Sequence, residues 1–278
     1  MRFLSHLIAL LSDSALVLRF VAGRSGAGYG IGRIRKLLFA RRIFVNAHRV
    51  RSLTTWRQHL LLVDAVFRVP PATPGDVVEC GCYNGASTIN LSIACAMAGR
   101  RLIVCDSFEG LPAPLNDERA VLHASAGGYY KWERGQFLAE GGIDGVKRNV
   151  ASWGEIGACE FVKGFYAESL PRLAPGPLVL IFEDVDLASS VSDCLRHLWP
   201  RLQEGCSFFC HEPWSVPVVA LFYDREWWKR EIGCDPPGFY GSGNGTLAGL
   251  TYSNMGYTIK VNPQRVIAEG ESIRHQES

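Results

Sequence analysis

The 278-residue chain is 47% hydrophobic and 20% charged, enough for one large core and an appendage, since single cores run to about 250 residues. That balance excludes disordered and collagen-like proteins, and no repeat of about 20 to 50 residues runs along the chain, which excludes solenoids and propellers. The net charge of +2 is unevenly divided: residues 1–57 hold eleven Lys/Arg against Asp13 alone, so a basic arm precedes an acidic body.

Phe3 to Val21 is apolar but interrupted by His6, Asp13 and Arg19. A carboxylate at mid-span is costly in hydrocarbon, so no membrane-spanning helix is expected, and a small-x-small cleavage site is missing. Nine cysteines without zinc-type spacing read as reduced thiols in a cytoplasmic protein. Gly23 to Gly32 reads as a glycine-rich hinge, and no strand precedes it to aim amides at a phosphate. Ile34 to Leu62 predicts one or two basic helices broken between Val45 and Thr55.

From residue 76 short apolar runs alternate with helical patterns, which predicts a doubly wound, Rossmann-like α/β sheet. Strands are expected at Asp76–Cys80, Arg101–Cys105, Cys159–Lys163, Leu178–Phe182 and Cys206–Cys210, with helices at Ala86–Ala98 and Ser189–Leu202. Leu111 to Trp132 has no periodicity and reads as a functional loop or lid over the strand ends, where open α/β folds bind ligands. The predicted organisation is an arm over residues 1–57, a catalytic domain over 58–262 and a polar tail over 263–278.

Two clusters carry chemistry. The first strand ends in Glu79-Cys80-Gly81-Cys82-Tyr83-Asn84-Gly85-Ala86-Ser87, a turn whose glycines let backbone approach a cofactor. Glu79 would repel a pyrophosphate but attract the ammonium and sulfonium charges of S-adenosylmethionine. Asp106, ending the second strand, is placed to accept ribose hydroxyls. Caps at the strand ends are the plainer reading of both acids. Asp184-Val185-Asp186 and His211-Glu212 follow the last two parallel strands. Alternate residues of extended chain face one way, and three carboxylates with an imidazole in one cleft need a shared cation or proton. Helix capping by Asp184 or Asp186 is the plainer alternative.

Val77-Val78-Glu79-Cys80-Gly81, Asp106-Ser107-Phe108-Glu109-Gly110-Leu111-Pro112, Val162-Lys163-Gly164-Phe165 and Ser169-Leu170-Pro171 resemble the macrocin O-methyltransferase family. These are class I S-adenosylmethionine enzymes that methylate sugar hydroxyls. The resemblance spans about Pro74 to Glu212. It implies that Glu79, Gly81, Asn84, Gly85 and Ser87 line the methionine side of the cofactor, with Asp106 on the ribose and Phe108 and Glu109 nearby. It further implies that Asp184, His211 and Glu212 hold a divalent metal, with Asp186 as general base beside Asp184. The metal implied is magnesium or manganese, with two departures from the family: His211 replaces a carboxylate, and imidazole suits manganese, iron or zinc better than magnesium, while Ala188 replaces an aromatic residue.

The reading is S-adenosylmethionine-dependent O-methyl transfer, assisted by a divalent metal, to a hydroxyl of a sugar, glycan or glycosylated metabolite, in a homo-oligomer that binds no nucleic acid. Its rivals are an NAD(P)-dependent oxidoreductase and a non-catalytic methyltransferase-like scaffold. Pro213-Trp214, Trp227-Trp228 and Phe239-Tyr240 read mainly as packing, with the Pro236-to-Gly245 loop as a candidate stacking surface for a sugar. The apolar start and cationic helices of the arm suit contact with the inner face of an anionic membrane; covering the active site and contacting a second copy are the alternatives.

Overall fold

The computed structural model describes residues 13–115, 117–123, 128–173, 176–240 and 255–261, with residues 120–123 and 128–129 described by backbone alone. The start of the apolar stretch, the end of the Pro236-to-Gly245 loop and the polar tail lie outside them.

A six-stranded sheet forms the centre, built from β1 (Asp76–Cys80), β2 (Leu102–Asp106), β5 (Cys159–Lys163), β6 (Leu178–Glu183), β7 (Leu202–Cys210) and β8 (Gly256–Ile259) in the order β5-β2-β1-β6-β7-β8. All pairs are parallel except β7 with β8. Strand β6, Leu-Val-Leu-Ile-Phe-Glu, is buried at every residue, the continuous apolar run that a parallel strand covered on both faces requires. The chain builds outward from β1 through β2 to β5, then returns to the other side of β1 as β6. Strand order therefore reverses between β1 and β6, and a crevice opens at their C-terminal ends.

Helix α3 (Trp56–Arg68) starts at a capping box in which Thr55 and Gln58 satisfy each other's backbone amides, and it packs on α4 (Ala86–Met97). The basic arm joins this layer. Residues 13–22 are helical and form α1; α2 (Arg33–Asn46) follows. Phe20 and Phe39 both contact the Phe67 ring, and Ile43 is fully buried. Lys36 turns inward: its Nζ donates to Gly23 O at 2.9 Å and Ser25 Oγ at 3.1 Å, and burial lowers its pKa. The glycine segment of 23–32 is docked on the end of α3, where Gly26 N donates to Phe67 O and Tyr29 Oη to Val69 O.

Three expectations change. Leu111 to Trp132 contains an antiparallel pair, β3 (Ala120–His123) with β4 (Gly128–Lys131), whose four-residue strands are too short to show a period. Between these and β5 lies α5 (Gly142–Trp153); the one-turn α6 (Tyr166–Ser169) follows β5. The helix expected to run to Leu202 is α7 (Ala188–Leu198). Pro200 disfavours helix in the residue before it, a 3-10 turn covers Trp199–Arg201, and β7 begins at Leu202 rather than Cys206. After β7, α8 (Val216–Leu221) and α9 (Arg225–Glu231) bring Trp227 and Trp228 into the core. All nine cysteines are unpaired.

Candidate active site

The crevice at the β1/β6 reversal is a cleft of about 170 Å³. Its first bank is the turn after β1. Gly81 lies at φ +84, and a Cβ there would run into the Asp184 carbonyl. No other residue type lets the two strand ends lie this close. Asp106 holds the turn together: Oδ2 accepts from Cys82 N at 2.7 Å and Oδ1 from Phe108 N at 2.6 Å. Burial raises the Asp106 pKa, with these amide bonds pulling against it. Phe108 sits at φ +56, a left-handed conformation that a bulky residue adopts only when its surroundings impose it.

Of the residues expected on this bank, Gly81, Ser87 and Asp106 line the cleft, together with Cys82, Tyr83 and Ala86. Glu79, Asn84, Gly85 and Phe108 do not. Glu79 is wholly buried behind the turn with neither oxygen hydrogen-bonded among the described residues; burial pushes its pKa to about 7, opposed by the nearby Ser87 and Thr88 hydroxyls. Asn84 has a bracing role, its Oδ1 accepting from Glu140 N and its carbonyl from Asn149. Gly85 is the left-handed start of α4, against Val146.

The second bank brings the expected acidic group together. His211 Nδ1 lies 3.0 Å from Asp184 Oδ1 and 3.6 Å from Glu212 Oε1. Donor atoms of Asp184, His211 and Glu212 all fall within 4.8 Å of one another. Burial opposes a charged His211, but Asp184 and Glu212 overcome it and raise the imidazole pKa. Asp184 is lowered by His211 against the effect of burial. Asp186 is raised by burial and by the charges of Glu212 and Asp184, and its φ of +63 is another strained backbone position. Neither Asp184 nor Asp186 caps α7; Glu118 does, accepting from Ser189 N and, at 2.9 Å, from Ser189 Oγ.

Two contributions to the cleft escaped the sequence, Trp214 and the connector before α3, while the segment expected as a loop over the strand ends, Leu111 to Trp132, does line it. Tyr130 and Trp132 from the β4 end of the hairpin and Trp214 after β7 form an aromatic wall. Trp214 had been read as packing. In the Pro236-to-Gly245 loop, Phe239 packs on Phe222 and Tyr240 on Tyr257, as expected of packing residues, and neither lines the cleft; residues 241–245 lie outside the described residues. Arg51 to Thr54, joining α2 to α3, form part of the lining. They are fixed by a hydrogen-bonded chain in which Thr54 Oγ1 meets Ser52 Oγ and His59 Nε2, each at 2.7 Å, and His59 Nδ1 meets Asn90. This connector is the break expected between Val45 and Thr55, and the Thr55/Gln58 capping box marks its end.

The family model described as macrocin O-methyltransferase (TylF) matches residues 58–223. The chain belongs to this family. The 8-demethyl-8-(2,3-dimethoxy-alpha-L-rhamnosyl)-tetracenomycin-C 4'-O-methyltransferase of Streptomyces olivaceus is 34% identical over 141 residues, 48% of this chain and 50% of that protein. The demethyldecarbamoylnovobiocin O-methyltransferase of Streptomyces niveus is 28% identical over the same shares. The matches thus span about half the length of these curated relatives. Among solved structures, the O-methyltransferase NovP superposes with a TM-score of 0.59 at 17% identity, covering 91% of this chain and all of that one. The calicheamicin methyltransferase CalS11 gives 0.50 at 18% identity, covering 81% and 92%. These structures share the fold of this macrocin O-methyltransferase family member.

Proposed function

We propose that this chain transfers a methyl group from S-adenosylmethionine to a sugar hydroxyl of a glycosylated metabolite. The observation that carries this reading is the facing of the Asp106-braced glycine turn and of Asp184, Asp186 and His211 across one cleft, with Glu212 buried against His211. The acidic lining suits a cofactor bearing ammonium and sulfonium charge and opposes a dinucleotide pyrophosphate, which weighs against the oxidoreductase alternative. When bound, S-adenosylmethionine supplies a methyl group on positively charged sulfur. Asp106 binds the ribose hydroxyls, and Ser87 and the Gly81 turn cradle the methionine end. Asp186, which lines the cleft two residues beyond Asp184, takes the proton of the acceptor hydroxyl. Orienting the acceptor supplies much of the remaining rate. Isothermal titration with S-adenosylhomocysteine, followed by turnover with rhamnosides, the sugar class in the first relative's name, tests the reading. Absence of cofactor binding would refute it.

The second bank also fits a divalent cation: Glu212 Oε1 is buried without a hydrogen-bond partner among the described residues, and the three donor atoms are close enough to chelate. Asp184, His211 and Glu212 would hold it, and it would lower the pKa of a neighbouring acceptor hydroxyl. The mixed nitrogen and oxygen donor set favours manganese over magnesium. EDTA treatment should abolish turnover, and His211→Asp should shift metal affinity toward magnesium by calorimetry; full activity after chelation would remove the metal from the reading.

The arm is proposed to rest on an anionic membrane surface. No helix among the described residues is long and apolar enough to cross one. The outer face of α2, however, exposes Ile34, Leu37, Leu38 and Phe44 among Arg33, Arg35, Arg41 and Arg42, the pairing of apolar and cationic groups that suits an interfacial helix. The intact protein should float with phosphatidylserine vesicles and release as salt rises, and Leu37→Glu with Leu38→Glu should stay in solution. Equal flotation of the two proteins would defeat the idea, and loss of a dimer in the variant would assign the face to a second copy.

A further inference from the structure

We infer that Glu183, Cys210 and Glu212 form a second cation site behind the first, for a thiophilic divalent ion of the zinc class, with Glu212 bridging the two. The inference goes beyond the methyl-transfer reading and shares only Glu212 with the cation site proposed above. Glu183 ends β6 and Cys210 ends β7, and the two are paired in register across these parallel strands, so their side chains leave the same face of the sheet. Glu212, two residues beyond Cys210, joins them: one donor atom from each of the three lies within 4.8 Å of the others.

The Glu212 carboxylate is oriented as a bridge. Its Oε1 lies 3.6 Å from His211 Nδ1, on the side of the first group, whereas its Oε2 accepts from Cys210 Sγ at 3.6 Å, on the side of the second. Each oxygen thus serves a different set of donors. All three side chains of the second group are fully buried, and neither oxygen of Glu183 has a hydrogen-bond partner among the described residues. The charges that act most on Glu183 are those of Asp184 and Asp186, of its own sign. A buried carboxylate in that position is destabilising until a cation or a proton sits beside it. A shared proton would join two of the three unpartnered oxygens of Glu183 and Glu212 and leave the third, and the sulfur, as they are.

The sulfur sets the class of ion. Thiolate ligands select zinc and similar ions over magnesium, whereas Asp184, His211 and Glu212 offer only oxygen and nitrogen. A coordinated thiol gives its proton to solvent as the metal binds. Glu183, Asp184, Glu212 and the Cys210 thiolate then carry one negative charge each, which two divalent ions neutralise. The ion enters past Asp184 and His211, which line the cleft in front of this group. Its effect on the reaction is indirect: an ion on Glu212 Oε2 fixes Oε1 beside His211, so Glu183 and Cys210 act as positioning residues for the first group.

Cobalt chloride titrated into the intact chain after removal of metal with EDTA tests this, because cobalt bound to thiolate gives a near-ultraviolet charge-transfer band that oxygen and nitrogen ligands do not. The wild type should bind two ions by calorimetry, one of them with the band. Cys210→Ser should lose the band and bind a single ion. Glu183→Gln should weaken the band-forming step by more than the about 10–100-fold that loss of an outer hydrogen bond costs a metal site. His211→Ala should weaken the other step and keep the band, which separates the two sites. A single ion without the band in the wild type would overturn the proposal and assign Glu183 and Glu212 a shared proton, leaving the first site in place. A band that survives Cys210→Ser would overturn it by placing the thiolate elsewhere. If no cobalt binds while S-adenosylhomocysteine still does, both cation sites fall and the methyl-transfer reading stands.

Discussion

The two banks of the cleft are built in different ways. On the cofactor side, Asp106 is bonded through both oxygens to backbone amides, and the glycine turn is fixed by main-chain contacts. On the acceptor side, the geometry rests on side chains whose charges depend on one another, and Glu212 Oε1 and both oxygens of the neighbouring Glu183 lack partners. The lining of the first bank is braced by main-chain bonds, whereas that of the second rests on mutually charged side chains. Changes on the first should therefore act on affinity and folding, and changes on the second on rate.

The largest effect expected is on the second bank. Asp186→Asn should lower kcat by about 10²–10⁴-fold, the range for loss of a general base, while calorimetry shows affinity for S-adenosylhomocysteine within about twofold of wild type. An equal loss in both quantities would erase the distinction between the banks. Buried Glu79, behind the first bank, gives the next effect. An acid raised from its ordinary 4.5 to about 7 binds more protons folded than unfolded across that interval. Stability should therefore fall as pH rises from about 4.5 to 7, by about 3 kcal/mol. Urea unfolding at pH 5 and pH 8 should show a slope that is smaller by that amount in Glu79→Gln than in wild type, the remainder coming from buried Glu183, raised to about 8, and Glu79→Gln should be the more stable protein at pH 8.

His59 has the opposite sign. Burial lowers its pKa to about 4, so between about pH 4 and 6.5 the unfolded chain binds the extra proton, and stability falls as pH falls through that window by about 3 kcal/mol. His59→Gln should flatten the acid limb of the stability profile in the same unfolding experiment. The smallest effect belongs to Asp106. Losing its hydrogen bonds to the ribose should cost about 1.5–3 kcal/mol, so Asp106→Ala should weaken cofactor binding by roughly one to two orders of magnitude. Unchanged affinity would mean that its bonds to Cys82 and Phe108 are its whole role.

The centre of the sheet was legible because the buried parallel strands β1, β2 and β6 read as apolar runs ending in Glu79-Cys80, Asp106 and Glu183. Residues at those ends came together as the sequence suggested: Asp184 with His211 and Glu212, and Asp106 with the Gly81 turn. What escaped was set by tertiary contacts. Glu79 looked like a ligand for charge, yet its alternation along β1 turns it behind the turn, away from the cleft. Trp214 and Tyr240 are both aromatics in loops, and nothing local distinguishes the one beside Trp132 from the one stacked on Tyr257. Thr54 reaches the cleft only because His59 and Asn90, 31 residues apart, meet between α3 and α4.

Gly81 also sets a distance. The turn that would cradle the methyl donor and the segment that carries Asp184 touch through main chain, with Asp184 N donating to Cys80 O at 2.9 Å and no side chain between Gly81 and the Asp184 carbonyl. The span from donor to acceptor is thus gauged by the polypeptide itself. Residues lining either bank can be exchanged for new acceptors without resetting that gauge, whereas any side chain at position 81 would act as a shim, and displacements near 1 Å are enough to slow such reactions about 10²-fold.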